Sequence, residues 1–489
     1  MADADFGSTI RGHPRETECM AHKKPLVGIL ILLVFNCHVV LSTASAQITS
    51  FDFAEPVFID LPEDLSPTCF DFADLDDDGD LDAVAVGRNT DGRVCLLEGG
   101  PGGTLVLVGE LTAPDQVDWV ELGDFNEDGA IDMVLGIRAW VGMVVLFDGL
   151  SEGWFAAEPR IIRFGRELRS TRIADLNQDA HLDLVVVGHA SEEIQVLNGD
   201  GTGAFAFGSR LRTAPWRNGY PYPQSAELLD LDLDGFTDIA AIGLGSRTIE
   251  LSLNDGTGGF SRTRSWKGPD LENGQQPGCS YADWQDFNGD GRVDCLLSLT
   301  DFGMQQFAIL QLDETGGIST TTLHPGSSSG FSWYPASGDF DGDGDRDVVI
   351  GHALPGLIAF FENVTPPGGD PEFLYPQSFF GLQFIRYLRS VDLDLDGDAD
   401  LVAADFSGDR LIVLENQLVG GPPPSERSAR TDQIPVRTAP VDLPSQVREM
   451  DGSSITKWLS DLSAREVRQF IGGSDSSAPE VVEDAEVKQ

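Results

Sequence analysis

Apolar residues at positions 51–420 fall in short runs of four to seven, closed by Gly, Asn or Asp, with no long 3.6-residue period. One kind of run is Leu81-Asp82-Ala83-Val84-Ala85-Val86-Gly87 or Leu182-Asp183-Leu184-Val185-Val186-Val187-Gly188. A turn leads to a second kind, such as Ile194-Gln195-Val196-Leu197-Asn198 or Ile249-Glu250-Leu251-Ser252-Leu253-Asn254. A Gly-rich turn and a Phe-led run follow, as in Gly201-Thr202-Gly203-Ala204-Phe205. Runs of this length, rich in Val, Ile and Leu and punctuated by turn formers, predict β-strands. With one more strand ahead of the first run, each unit holds four.

The unit recurs. Asp-rich nonapeptides begin at Asp74, Asp124, Asp175, Asp230, Asp286, Asp339 and Asp392, at intervals of 50, 51, 55, 56, 53 and 53 residues. Seven near-equal four-strand units predict an all-β, seven-bladed β-propeller over residues 47–420. The stretch Phe51 to Phe58 resembles the Phe-led outer strand of other units, such as Phe205-Ala206-Phe207. It precedes the first Asp loop, while the last unit stops at Leu411-Ile412-Val413-Leu414. The N-terminal strand is therefore expected to complete the seventh blade and remove an exposed edge.

Each nonapeptide reads D-x-[DN]-x-D-[GA]-x-x-D, and its positions 1, 3, 5 and 9 are candidate cation ligands. These are Asp74, Asp76, Asp78 and Asp82 in the first loop, and Asp124, Asn126, Asp128 and Asp132 in the second. The third holds Asp175, Asn177, Asp179 and Asp183; the fourth, Asp230, Asp232, Asp234 and Asp238. The fifth holds Asp286, Asn288, Asp290 and Asp294. Asp339, Asp341, Asp343 and Asp347 belong to the sixth, and Asp392, Asp394, Asp396 and Asp400 to the seventh. Alternate carboxylates around a Gly that lets the chain turn sharply suit calcium, which takes six to eight hard oxygen ligands, including a backbone carbonyl here expected from position 7. Magnesium demands tighter octahedral geometry and keeps its waters. An EF-hand needs a Glu at position 12, where this chain has Ala85, Leu135, Val186, Ala241, Leu297, Ile350 and Ala403. Simple turn formers are a poor account, because the seven windows hold 30 acidic residues against two basic ones, Arg292 and Arg346. Carboxylates so close repel without a cation. Up to seven calcium ions are expected. The third loop is the weakest, with Ala180 where the turn calls for Gly.

These units resemble the FG-GAP/VCBS repeats of integrin α-subunit propellers and of many bacterial exported proteins. Phe164-Gly165, Phe207-Gly208 and Phe380-Gly381 match that family's Phe-Gly element, and Leu253-Asn254-Asp255-Gly256-Thr257-Gly258-Gly259-Phe260 matches its turn. The resemblance implies a propeller with calcium loops on one face and ligands on the other. For function it implies little more than a range, from adhesins and lectin-like modules to polysaccharide lyases.

Charge and targeting narrow that range. With 80 Asp+Glu against 32 Lys+Arg and a net charge of −48, the surface repels nucleic acid and anionic membranes. Residues 1–46 read as an N-terminal extension and cleaved export signal, the signal itself over 20–46. Its parts are a basic His22-Lys23-Lys24, an apolar run from Leu26 to Phe35 and the cleavage site Ala44-Ser45-Ala46. The expected location is secreted, cell-surface or periplasmic, with no stable membrane span after cleavage. Cys69, Cys95, Cys279 and Cys295 survive cleavage, and the choice between disulfides and buried thiols stays open. Residues 421–489 read as a disordered Pro/Ser-rich tail holding a short helix over 455–471, packed on the propeller or docking a partner. Trp119, Tyr281, Tyr334 and Tyr387 each stand five residues ahead of an Asp loop, a repetition that favours packing between blades. The irregular loop with Trp216, Arg217, Tyr220 and Tyr222 is the candidate ligand site. His189 and His352, in matching Gly-His-Ala segments, read as turn histidines. No nucleophile elbow, zinc-protease motif or phosphate loop is present, so no catalytic residue is assigned. The expectation is a binding or adhesion scaffold for a carbohydrate or an extracellular protein, the alternative being a lyase-like polysaccharide-degrading enzyme.

Overall fold

The computed structural model describes residues 51–418 apart from 90, 152, 214–221, 245–247, 268–278, 300–305, 326–331, 354–355 and 375–376. The expected export signal, the tail with its helix, and Trp216, Arg217 and Tyr220 lie outside the described residues. Among the described residues all regular structure is β, in seven antiparallel sheets that form the blades of a propeller.

Each blade begins with a strand at the hub. These first strands are Pro67–Ala73, Val117–Gly123, Leu168–Ala174, Pro223–Leu229, Cys279–Gln285, Ser332–Gly338 and Ile385–Val391. Each packs on the first strands of the blades before and after it, so the seven close a ring. The second strands are Asp82–Gly87, Asp132–Ile137, Asp183–Gly188, Asp238–Gly243, Asp294–Leu299, Asp347–His352 and Asp400–Asp405, buried at every residue. That explains their nearly unbroken apolar runs: both faces of the sheet lie against neighbouring blades. Burial fades outward, and the outer strand Thr104–Thr112 of blade 1 shows mostly exposed and half-buried positions.

Closure works through the chain's two ends. Val57–Asp60 pairs antiparallel with Arg410–Leu414, with Val57 opposite Val413 and Asp60 opposite Arg410, and so becomes the outer strand of blade 7. Ahead of this strand the pairing continues irregularly: Phe53 bridges Asn416, the Ala54 amide donates to the Glu415 carbonyl at 2.8 Å, and the Gln417 amide donates to the Asp52 carbonyl at 2.9 Å. The Phe53 ring lies 4.7 Å from Phe360 and 5.8 Å from Phe340. Asp409 fixes the passage into blade 1, accepting hydrogen bonds from the amides of Asp64 (3.0 Å) and Ser66 (2.8 Å).

All four described cysteines are buried free thiols. Register explains why no strand pair joins them: Cys69 faces Val86 and Cys95 faces Ala85, while Cys279 faces Leu299 and Cys295 faces Trp284. Burial pushes the Cys95 thiol up to about 12, and those of Cys69 and Cys295 also well up, which makes them poor nucleophiles.

Candidate metal loops and the central channel

Every Asp nonapeptide joins the first strand of a blade to the second, so all seven lie at the same end of the ring. Strands, not helices, flank them, as the apolar position 12 requires. Within a loop the carboxylates first build the turn. In loop 1, Asp74 accepts hydrogen bonds from the amides of Asp78 (3.1 Å) and Gly79 (3.0 Å), and Asp78 accepts one from Asp80 (2.9 Å). The same contacts recur, for instance from Asp234 and Gly235 to Asp230 at 3.1 and 2.9 Å.

The turn needs two left-handed residues, at positions 4 and 6. Position 6 is Gly in six loops, with φ of +97° at Gly79 and +101° at Gly397. In loop 3, Ala180 adopts φ +71°. Its amide still donates to Asp175 at 2.9 Å, so the loop keeps its shape at the cost of backbone strain. Position 4 carries the same conformation without glycine in five loops, at Asp77, Glu127, Gln178, Leu233 and Leu395.

The four loops with Asp at position 3 bring carboxylates together. Asp74, Asp76 and Asp78 each place an oxygen within 4.8 Å of the others, as do Asp230, Asp232 and Asp234. In the sixth and seventh loops the trios are Asp339, Asp341 and Asp347, and Asp392, Asp394 and Asp400. In the other three loops Asn126, Asn177 and Asn288 offer an amide oxygen, which accepts the position-5 amide at 2.9 to 3.0 Å.

Position 9 has a second role. In six blades its carboxylate accepts the amide of position 2 and an amide at the end of the third strand, while in blade 5 Asp294 accepts the Phe287 amide and its Oδ1 meets no donor. Asp132 takes Phe125 at 3.0 Å and Gly149 at 2.7 Å; Asp347 takes Phe340 and Asn363, both at 2.9 Å. At that distant point blades 1 to 3 have Gly99, Gly149 and Gly199, where an added Cβ would come within 2.2 to 2.4 Å of a backbone carbonyl. Blades 4, 6 and 7 have Asn254, Asn363 and Asn416. Each Asn side chain donates to the position-8 carbonyl of its own loop and to a position-2 carbonyl in the preceding blade, Asn363 reaching Arg346 at 3.0 Å and Phe287 at 2.9 Å. These three asparagines tie neighbouring loops together. Sequence reasoning missed them, although each stands 16 residues after its position-9 Asp.

The carboxylates are crowded and partly desolvated. Burial, then neighbouring acids, raises Asp341 to about 6, Asp345 and Asp400 to about 7, and Asp347 to about 9; burial raises Asp294 to about 7. Four of the buried oxygens, one each on Asp232, Asp294, Asp345 and Asp392, meet no hydrogen-bond donor. Buried carboxylate oxygens normally find partners. A hard cation among them would supply one, so the residues present fit calcium.

The hub is filled by two layers of side chains. Three residues ahead of the loops stand Asp71, Glu121, Arg172, Glu227, Asp283 and Arg389. Arg172 bridges Glu121 (3.0 Å) and Glu227 (2.7 Å) of the blades on either side, and Arg389 pairs with Asp71. A cavity of about 220 Å³ lies among Arg172, Glu227, Asp283, Tyr334, Tyr387 and Arg389. Two residues further up come the repeated aromatics. Trp119 meets Tyr387 at 5.3 Å, Tyr387 meets Tyr334 at 4.6 Å, and Tyr334 meets Tyr281 at 4.5 Å. All four are buried, which makes them inter-blade packing. Beyond them, at the end away from the loops, buried Asp118 pairs with Arg88 (2.6 Å) and Arg169 (3.3 Å), which hold its carboxyl well below the usual range.

Of the candidate ligand residues, Tyr222 is described. It is half-buried, with its ring stacked on His189 at 4.9 Å. His189 is buried, with Nδ1 3.0 Å from the Pro223 carbonyl oxygen, and burial pushes its pKa well down. His352 is buried too and falls to about 3 for the same reason. The two histidines are neutral packing groups set deeper than a turn position implies.

The FG-GAP-like repeat family matches residues 175–241, 230–297 and 286–350, overlapping windows that each run from one Asp loop into the strand beyond the next. No curated protein matches the chain in sequence. Among solved structures, a protein from Lactobacillus plantarum is similar over 65% of this chain and 86% of its own, at 13% identity and a TM-score of 0.51. BBS1N, solved in complex with ARL6DN, covers 76% of this chain and 98% of its own, at 12% identity and 0.48. An Agrocybe aegerita lectin, described as recognising non-reducing terminal N-acetylglucosamine, covers 67% and 91%, at 17% and 0.44. At such identities the first likeness speaks for the fold alone. The repeat match and the seven loop-bearing blades fit an FG-GAP repeat β-propeller.

Proposed function

We propose that this is an exported propeller whose Asp loops hold calcium, up to seven ions. Its blades then serve as a scaffold for cell-surface or extracellular binding of a carbohydrate or a protein. The observation that carries the metal is the four carboxylate trios, in two of which a buried oxygen, on Asp232 and on Asp392, meets no donor. Charge buried without a partner costs several kcal/mol. Positions 1, 3 and 5, with position 9 where it joins the trio, would hold the ion, and the ion would supply positive charge against their repulsion. The chain's own residues do the positioning: position 1 shapes the turn, and position 9 ties it to the third strand.

The scaffold reading is supported by a frame of repeated, buried second strands joined by loops of differing length. Export is supported by the leader sequence. Two experiments test the proposal. Calcium removal by EDTA should lower the melting temperature, and Asp341→Ala with Asp343→Ala should reduce bound calcium by one ion per chain. Incubation with a panel of polysaccharides, followed by gel filtration, separates scaffold from enzyme. Intact polymers, with one co-eluting, support a binder; shortened polymers would make the chain an enzyme and overturn the reading.

A further inference from the structure

Basic segments interrupt the acidic chain, and one of them lines a cleft. Residues 160–172 carry Arg at every third position, with Glu167 as the one acid. Arg160, Arg169 and Arg172 are engaged by Asp148, Asp118 and the pair Glu121 and Glu227. Arg163 and Arg166 are exposed, and among the described residues neither pairs with a carboxylate. Both line a cleft of about 690 Å³ between the rims of blades 2 and 3, with Phe164, Glu193, Phe207 and Arg210. Glu193 is buried and already engaged by Arg210 and, at 3.8 Å, by Arg212. The free charge of the cleft is therefore positive.

Aromatic surface accompanies it. Trp140 is 70% exposed, with the Arg166 guanidinium 4.5 Å from its ring centre. Phe207 is 61% exposed, its ring 6.3 Å from that of Phe164. Three backbone segments hold these groups in place. The amide of Phe164 donates to the Gly142 carbonyl (3.0 Å), Gly142 to Gly165 (3.1 Å) and Glu167 to Ala139 (2.9 Å), while His189 donates to Glu167 (3.1 Å). The site is preorganised without a ligand.

We infer that this cleft binds an acidic polysaccharide, with Arg163 and Arg166 taking carboxylate or sulfate oxygens and the rings of Trp140 and Phe207 lying against sugar faces. Guanidinium forks match planar oxyanions, and exposed aromatic plates suit the apolar faces of pyranose rings. The chain as a whole, at −48, repels such a polymer, so docking needs a locally basic cleft such as this one. The inference rests on the reading of the chain as a binding scaffold and goes beyond it in naming a site and the charge of its ligand.

The test uses the full calcium-loaded chain, by titration calorimetry, against hyaluronan for carboxylates and dextran sulfate for sulfates. Neutral dextran and polyglutamate are the controls. Binding of either acidic polysaccharide, with polyglutamate at least tenfold weaker and neutral dextran not bound, is the expected result, and which of the two binds names the oxyanion. Arg163→Glu with Arg166→Glu, and separately Trp140→Ala, should weaken binding about tenfold or more while leaving the melting temperature unchanged, since these side chains are exposed. The inference fails if neither acidic polymer binds, if both variants bind as the parent does, or if polyglutamate binds equally well. Failure here still lets another polymer of the panel co-elute intact with the chain in gel filtration, so the two readings fall separately.

Discussion

Asn363 should be one of the most costly polar residues to remove from this propeller. Its side chain is buried and donates to the carbonyls of Phe287 in the loop of blade 5 and Arg346 in its own loop. Its Oδ1 accepts from the amide of Thr365 at 3.0 Å and from the Thr365 hydroxyl. Asn363→Ala removes all four contacts and leaves two buried carbonyls without these donors. At roughly 1 kcal/mol net per hydrogen bond, with a further penalty of about 1–3 kcal/mol for buried groups left unmet, the loss should be about 3 kcal/mol or more. Thr365→Val should cost less, about 1–2 kcal/mol, because it leaves the asparagine's two donor bonds in place and removes, besides the hydroxyl's bond to Asn363, only exposed contacts with Glu372. Urea unfolding in calcium reads both. Asn254→Ala and Asn416→Ala, at matching positions, should behave like Asn363→Ala. Losses below about 1 kcal/mol in all three would refute the idea that asparagine ties hold blades together.

Three further predictions follow from individual contacts. Ala180→Gly should stabilise the chain by about 0.5–1 kcal/mol, because the left-handed backbone at φ +71° strains alanine but not glycine; a destabilised variant in thermal melts would contradict this. Asp118→Ala should cost about 3–5 kcal/mol in urea unfolding, since it leaves Arg88 and Arg169 buried without this partner; a loss below 1 kcal/mol would count against it. In EDTA, stability should fall as pH rises from about 7 to 8, above the range where the buried histidines titrate on unfolding. Burial raises Asp294, Asp341, Asp347 and Asp400 above the ordinary carboxylate value, so in this window the folded chain holds more protons than the unfolded one. A melting temperature that instead rose over that range without calcium would refute the assigned burial.

Much of this architecture could be read from the chain because each blade repeats the same short signals. The apolar second strands and the Asp nonapeptides mark every blade boundary, and the position of Val57–Asp60 in blade 7 follows from counting strands. Other features depend on what closure brings together. Arg172 looks like an ordinary polar strand residue until the ring places Glu121 and Glu227 on either side of it. Asn254, Asn363 and Asn416 look like turn formers, and their targets in the preceding blade lie 76 to 78 residues away. Phe51 and Phe53 carry a strand-like alternation, and Phe53 does bridge Asn416, but their packing against Phe360 depends on closure of the ring. The position-9 aspartates read as ligands by spacing alone, while their amide partners come from the end of the third strand, a distance that no local motif encodes.

The central claim is that the seven Asp loops hold calcium, and the most direct measurement is the calcium bound per chain at equilibrium, by dialysis against the labelled ion and by native mass spectrometry. The account predicts binding that approaches seven ions, with a melting temperature that drops when they are removed. A chain that binds no calcium and melts identically with and without EDTA would contradict it.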